Sequence, residues 1–513
     1  MGAARQLRRT IARQLDRPLT TEATEYTKKK IFLGDLGALG GEIRSLPQFV
    51  TRDELYDRLH AGLSDPPRRL SPYEREALVR ASAREAVRED EPRELRPGLI
   101  AEALRFYDQL RRQRQQVARF EELLEETLQR DAEFDRGAER MLQQTRMLAA
   151  TFRSYERRVA ELSACDEHSL RARLMAEPAA APVRAAVVTV ADWIAEPGGL
   201  NGADFDLLAR LPGLETIDVV ATEGILESGF HQRIHDWLPG IEEISVEAPA
   251  PSRPRLSVPV GPAWPEGPTG TADRLWFTSR DREEELIGVA RRLKAQSGAR
   301  RAAVVYKRPL PYLYVAREVF GSARIPYHTS DTLPLAAEPF AAAVDLVFEL
   351  VASSFTRDAV VAFLRSPHFA MGGEGGLRRS AVSALDRALS GARYLGELER
   401  LSQLAVEWQS SESHTSAWPA LAAAIAAAER LSPLRTPAPA SLQIERLLSF
   451  LQAYAAPERL QDRARRARSA VVGTLEGLAA ASRAHDDAPI DVNALASLVR
   501  RWIEEQTFAQ DPD

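Results

Sequence analysis

The chain has 513 residues, too many for a single hydrophobic core, and its hydrophobic share of 44% and charged share of 27% are those of a folded globular protein. A formal net charge of −5 excludes a chain that is basic throughout, so any nucleic-acid contact has to come from local patches. One cysteine, Cys165, excludes a disulfide framework and fits a reducing cytoplasm, and no apolar run is long enough for a membrane span.

The N-terminus, MGAARQLRRTIARQL, is basic and amphipathic but has no continuous apolar core, so it reads as an ordinary helix rather than an export signal. A strand is expected over Lys30–Leu33. Gly34, Gly37, Gly40 and Gly41 follow it, and without a Lys-Ser or Lys-Thr behind them they read as a surface loop. Thr51 with Glu54 three residues on is a capping box that opens a helix. Residues 72 to about 175 read as nearly all helix. Ser71 is the cap and Pro72 the first helical residue, and Leu99, Ala103, Phe106, Leu110, Val117, Phe120, Leu124 and Leu128 recur at helical spacing. Arg111, Arg112 and Arg114 are candidate phosphate contacts, against the simpler reading of a solvated face.

After the linker Pro178–Pro182, Val183–Trp193 and Thr216–Thr222 read as buried strands with a short helix between them. His231 and His235 have the spacing of a helical zinc pair, but Gln232 stands where a metallopeptidase has Glu and the sequence offers no third ligand, so no metal site is assigned. Pro249–Thr271, rich in Pro, Gly and Ser, is the clearest linker. Beyond it, Leu286, Ile287, Val289, Ala290 and Leu293 fall on one helical face. Ala302–Tyr306 reads as a buried strand, Pro309 and Pro311 break it, and a helix follows. Ile325–His328 reads as a short strand, and Thr356 caps a helix that runs towards Phe369. From Gly372 onwards the pattern is helical again. It includes the Ala-rich TSAWPALAAAIAAAERL and the densest basic cluster, Arg463, Arg465, Arg466 and Arg468.

The ordered series SRDREEE, VARRLK, AAVVYKR, AREVF, RIPYHTSDTLPLAAEPFAAAV and LRSPHF resembles the second motor domain of UvrD-like helicases. It is most similar to the form in AddB/RexB-type subunits of bacterial helicase–nucleases that process double-strand DNA breaks. In that family the residue before the Ile of RIPY is usually Gly; here it is Arg324. The resemblance implies an α/β fold of two parallel-sheet, motor-like domains with large all-helical insertions. The expected layout is a partial first motor-like domain over 1–70, a helical insertion over 71–177, the first domain resumed over 178–250, a linker over 251–272, the second motor-like domain over 273–370 and a helical insertion over 371–513.

The chemistry of an active motor is missing from the sequence. A phosphate loop needs a Gly-Lys-Ser/Thr run, and none of the five lysines (Lys28, Lys29, Lys30, Lys294, Lys307) follows a glycine. Asp192 ends a strand where a motor ATPase holds Mg²⁺, but Trp193 replaces the neighbouring Glu. A PD-(D/E)XK nuclease needs an acid two residues before a Lys, and those positions hold Tyr26, Thr27, Lys28, Arg292 and Val305. The iron–sulfur cluster of some relatives needs four cysteines. The family's proteins are longer, with ATP, Mg²⁺, the nuclease and in some cases that cluster in the full protein, so this chain is expected to be a fragment. The resemblance therefore implies a helicase-like subunit, with no catalytic residue of its own, that binds a single-stranded DNA end beside an AddA-like motor partner. Its candidate DNA contacts are Arg280, Arg282, Tyr306, Lys307, Arg308, Arg365, His368 and Phe369. The alternatives are a scaffold without a DNA role and an active helicase whose phosphate loop lies outside this chain.

Overall fold

A computed structural model of the chain describes residues 48, 50–87, 96–177, 183–190, 199–245, 279–295, 302, 304, 306, 309–329, 332–371, 376–409, 412–454 and 462–509. The expected strand at Lys30–Leu33, the glycines that follow it, Asp192 and the whole Pro249–Thr271 linker lie outside them. The described part is mostly helical with small sheets and divides into two compact units. The larger takes its residues from Leu19–Gly240 and Leu333–Phe508, and the smaller takes its helices from Ile241–Thr332.

In the larger unit, α1 (Arg52–Ala61) opens with the Thr51–Glu54 capping box, and β1 (Arg68–Arg69) leads to α2 (Pro72–Ala86), opened by the Ser71–Glu74 box with Pro72 inside the first turn. Then come α3 (Pro97–Arg112), α4 (Val117–Ala132), α5 (Arg136–Glu161), β2 (Ala164–Cys165) and α6 (Glu167–Ala176). Ile100, Tyr107, Phe152 and Tyr155 join Leu78 and Val79 of α2 in one core. Next, β3 (Ala185–Thr189), α7 (Gly202–Arg210) and β4 (Thr216–Val220) form a β–α–β unit whose strands pair in parallel from Ala185↔Thr216 to Thr189↔Val220. These strands were expected to be buried, but among the described residues they pair only with each other. Among those residues each has one neighbouring strand, and Val187 and Val220 are more than half exposed. A π-helical turn at Leu226–Phe230 leads into α8 (His231–Trp237).

The smaller unit packs α9 (Arg282–Ala295) against α10 (Pro309–Ser322) through Leu286, Ala290, Ala316, Val319 and Phe320. Ile325–His328, expected as a strand, makes no sheet pairing among the described residues. Instead the Ile325 N–H bonds to Phe320 O and the Arg324 N–H to Gly321 O, both at 2.9 Å, which closes the end of α10 as a Schellman motif. Arg324 holds the left-handed position of that motif, with φ of 51°.

The larger unit resumes with β5 (Thr332–Pro334), α11 (Pro339–Ala352), α12 (Arg357–Arg365), α13 (Arg379–Gly391), α14 (Leu398–Trp408) and α15 (Trp418–Leu431). It ends with β6 (Ala438–Pro439), α16 (Ala440–Ala453), α17 (Asp462–His485), β7 (Pro489–Ile490), α18 (Val492–Glu505) and β8 (Thr507–Ala509). Thr356 sits at the cap of α12, but its hydroxyl makes no capping bond. Helix α2 packs on α5 and also on α17, so the helices before and after the smaller unit's segment share one core. Glu76 of α2 takes the Arg501 guanidinium, and Asp486, just past α17, takes Arg80 Nε at 2.6 Å together with Arg84.

The α2–α17 contact is close. A Cβ at Gly477 would lie 2.6 Å from the Tyr73 ring, which is itself packed 4.5 Å from the Trp502 ring, whereas a Cβ at Gly473 of the same helix would meet nothing. Alanine in place of a helical glycine gains about 1 kcal/mol, while overpacking costs about 1–3 kcal/mol. Gly473→Ala is therefore expected to raise the urea midpoint and Gly477→Ala to lower it; equal shifts would mean the two helices do not meet there. At Arg324 the left-handed conformation costs a side chain about 1–2 kcal/mol, so Arg324→Gly is expected to stabilise the smaller unit by about 1 kcal/mol in thermal unfolding.

Candidate functional site

Two of the candidate DNA contacts come together in the smaller unit. Tyr306 stacks on Tyr312, centroids 4.6 Å apart and planes 14° from parallel, and the Arg282 guanidinium lies 5.9 Å from the Tyr312 centroid. Such a column of cation and aromatic faces can take a nucleobase as its next layer. The Tyr312 hydroxyl donates to Glu285 at 2.6 Å. Burial, assisted by the Glu285 carboxylate, pushes the Tyr306 phenol up to about 12, and its hydroxyl has no partner among the described residues. Tyr312 carries as much of the geometry as its neighbours. The sequence reading passed over it because nothing local separates it from the other tyrosine of PYLY.

The surrounding charge does not favour phosphate. Arg280 is exposed, but its Nε donates to Asp281 at 3.0 Å and its backbone N–H to Glu284 at 2.7 Å. Between 280 and 285, two arginines face four carboxylates. Lys307 and Arg308 lie outside the described residues.

The other three candidates belong to the larger unit. Arg365 reaches Asp386 at 3.4 Å. The His368 ring stands edge-on to Phe340 with centroids 6.1 Å apart, and burial lowers its pKa and favours the neutral imidazole. Phe369 is 7% exposed, packed between Phe363 and Phe450, so its faces are taken up by the core and it has no free face for a base.

The basic clusters of the larger unit are likewise engaged. Arg463 Nε donates to the buried Glu338 at 3.1 Å, Arg465 pairs with Asp462, and Arg468 donates to Leu451 O at 3.0 Å. Arg111 and Arg114 lie 3.8 and 3.6 Å from Glu156 and Asp206. Arg112 makes a two-pronged pair with Glu167, 2.8 Å on each prong. Its partner is 55 residues away, and no sequence spacing announces it.

That pair is the edge of a larger ionic network. Asp204, 1% exposed, accepts from Arg52 Nε at 2.7 Å, the Tyr56 hydroxyl at 2.6 Å and Arg171 at 3.2 Å. Arg75 grips Asp108 at 2.5 and 3.2 Å, and Asp166 caps α6 while it accepts from the Tyr155 hydroxyl at 3.1 Å. His168 joins the two halves, with Nε2 2.8 Å from Asp108 and Nδ1 3.4 Å from Arg171. A guanidinium can only donate, so these partners assign the proton to Nε2. Four guanidiniums (Arg52, Arg75, Arg112, Arg171) then balance four carboxylates (Asp108, Asp166, Glu167, Asp204).

No helix of the described residues is long and apolar enough to cross a membrane. Compared with protein-family models and with curated proteins, the chain has no match.

Two paired acids, Glu167 of this network and Glu74 of the Ser71 capping box, set a pH dependence. Burial pushes Glu167 up, but the Arg112 bonds and the nearby Arg52 outweigh it and hold the carboxyl well below the usual range. At Glu74 burial also opposes, yet the Ser71 N–H and Arg68 bring it down to about 2 from 4.5. Depressed folded values mean a contribution present above the unfolded pKa and lost as pH falls through the folded one. Urea unfolding is expected to show stability falling below pH 4.5, with a slope approaching about 1.4 kcal/mol per pH unit for each proton bound. Glu74→Gln and Glu167→Gln should each flatten that slope; an unchanged slope in both would contradict the assignment.

Proposed function

We propose that this chain is a helicase-fold subunit, similar to AddB/RexB-type proteins, that holds single-stranded DNA at a break in the cytoplasm beside an AddA-like motor that hydrolyses ATP. The observation that carries the binding role is the Arg282–Tyr312–Tyr306 stack on a compact α/α frame. Two features support the family reading. The parallel β3–α7–β4 unit is the building block of a motor-like sheet. Position 324, usually Gly in that family, adopts the left-handed conformation that glycine takes at little cost. The finer architecture, with two parallel-sheet motor-like domains and separate helical insertions, belongs to this proposal.

The contact is of the stacking kind: aromatic faces supply affinity without reading sequence, and arginines supply a small salt-dependent share. Oligo-dT is expected to bind in fluorescence anisotropy and to weaken as salt rises. Tyr312→Ala should weaken binding by about 5- to 150-fold, the worth of about 1–3 kcal/mol per stacked base, and Arg282→Ala should reduce the salt slope by about 1. Undetectable binding, or two variants that bind like the parent, would overturn the proposal.

A second reading, a scaffold with no DNA role, is favoured by one specific observation: the arginines of the larger unit named above are spent on its own carboxylates and carbonyls. Under that reading the parent fails to bind oligo-dT at low salt, and Arg463→Ala together with Arg465→Ala alters stability alone.

A further inference from the structure

We infer that His231 and His235 form a binding site for a borderline-soft divalent cation, zinc foremost, on the exposed face of α8. The inference goes beyond the DNA-binding proposal and does not depend on it. The two histidines are one helical turn apart, their ring centroids are 4.9 Å apart, and a ring nitrogen of each lies within 4.8 Å of one on the other. Zinc binds imidazole nitrogen at about 2.0–2.1 Å, so a shared ion needs the two nitrogens within about 4 Å. A modest rotation of the rings, His231 exposed and His235 half-buried, covers the difference.

The backbone beneath the pair is fixed. Ile234 is buried, and Trp237 stacks on Phe205 of α7 with centroids 5.3 Å apart and planes at 21°. The indole lies so close to α7 that a Cβ at Gly202 would come 2.8 Å from Trp237 Nε1. Helix α8 is thus held by one face while the adjoining face presents both imidazoles in a set register, which lowers the ordering cost of binding.

Ligand type decides the ion. Two imidazoles suit zinc, copper and nickel, whereas magnesium and calcium require oxygen ligands. With two protein nitrogens, the remaining positions are filled by water or a further oxygen donor. Gln232, where a metallopeptidase has its catalytic Glu, donates its amide to Asp236 at 3.3 Å and cannot act as a base, so the site is a binding site rather than a peptidase centre.

The test is isothermal titration of the full, chelator-stripped chain with zinc chloride, with magnesium chloride as the contrasting ion. Zinc is expected to bind at one ion per chain, magnesium not to compete, and affinity to fall as pH is lowered, because protons compete for the imidazoles. His231→Asn or His235→Asn should each weaken binding at least tenfold and the double variant abolish it, while His414→Asn should leave it unchanged. Circular dichroism establishes that the exposed substitutions leave the fold intact. No binding by the parent, or the same affinity and stoichiometry in the folded double variant, would overturn the inference.

Discussion

The larger unit depends on how charge is met beneath α2. Glu76 is 4% exposed, and burial pushes its carboxyl up even with Arg501 and Arg80 near it. Desolvating such a pair costs several kcal/mol per ion, so the pair is not by itself a source of stability. Its effect is directional, because removing one partner leaves a buried charge unmatched and costs about 3–5 kcal/mol. Arg501 on α18 and Asp486 after α17 therefore admit one seating of α2, and the apolar contacts with α5 and α17 fill in around it. Two stretches more than 300 residues apart in sequence acquire a common core through this one helix.

The same logic governs the arginines of the buried network. A guanidinium presents a flat fork that matches a carboxylate with two bonds, as Arg112 does to Glu167 and Arg75 to Asp108. An ammonium would satisfy one oxygen and strand the other. In the network around Asp204 every carboxylate answers to at least one fork, and His168 fits between with one ring nitrogen facing a carboxylate and the other a guanidinium. Arginine content therefore reflects internal pairing at these positions rather than a surface prepared for phosphates.

The sequence displayed what is local. Both capping boxes, Thr51 with Glu54 and Ser71 with Glu74, are present, since each is written within four residues. Helix ends were harder to read. At Arg114, Arg324, Ser354 and Arg393 the chain takes the left-handed position without glycine, and the closing bonds Gln115 N–H to Leu110 O, Ile325 to Phe320 O, Phe355 to Leu350 O and Tyr394 to Leu389 O do the work that a Gly would have signalled. The apolar run from Leu99 to Leu128 accordingly divides into α3 and α4 at Arg114. Strand burial was misread because an apolar pentapeptide looks the same with two neighbours or one: β3 and β4 have the composition of interior strands and the exposure of edges.

Site residues were legible in proportion to how much depends on neighbours in sequence. Tyr306 and Arg282 were identifiable as an aromatic and a cation, but their relation runs through Tyr312, whose place is set by the packing of α10 on α9. Phe369, a candidate contact, and Arg463, of the basic cluster, are hard to read for the opposite reason. Each looks available in a linear reading, yet Phe450 and Glu338, distant in sequence, occupy the ring face and the guanidinium. Exposure and pairing are tertiary properties, and a stack of two tyrosines beside four carboxylates offers a ligand aromatic faces rather than a broad positive surface. That balance sets what kind of ligand the smaller unit could hold: one that offers a flat ring to Tyr306–Tyr312 and keeps its anionic groups away from Asp281 and Glu283–Glu285.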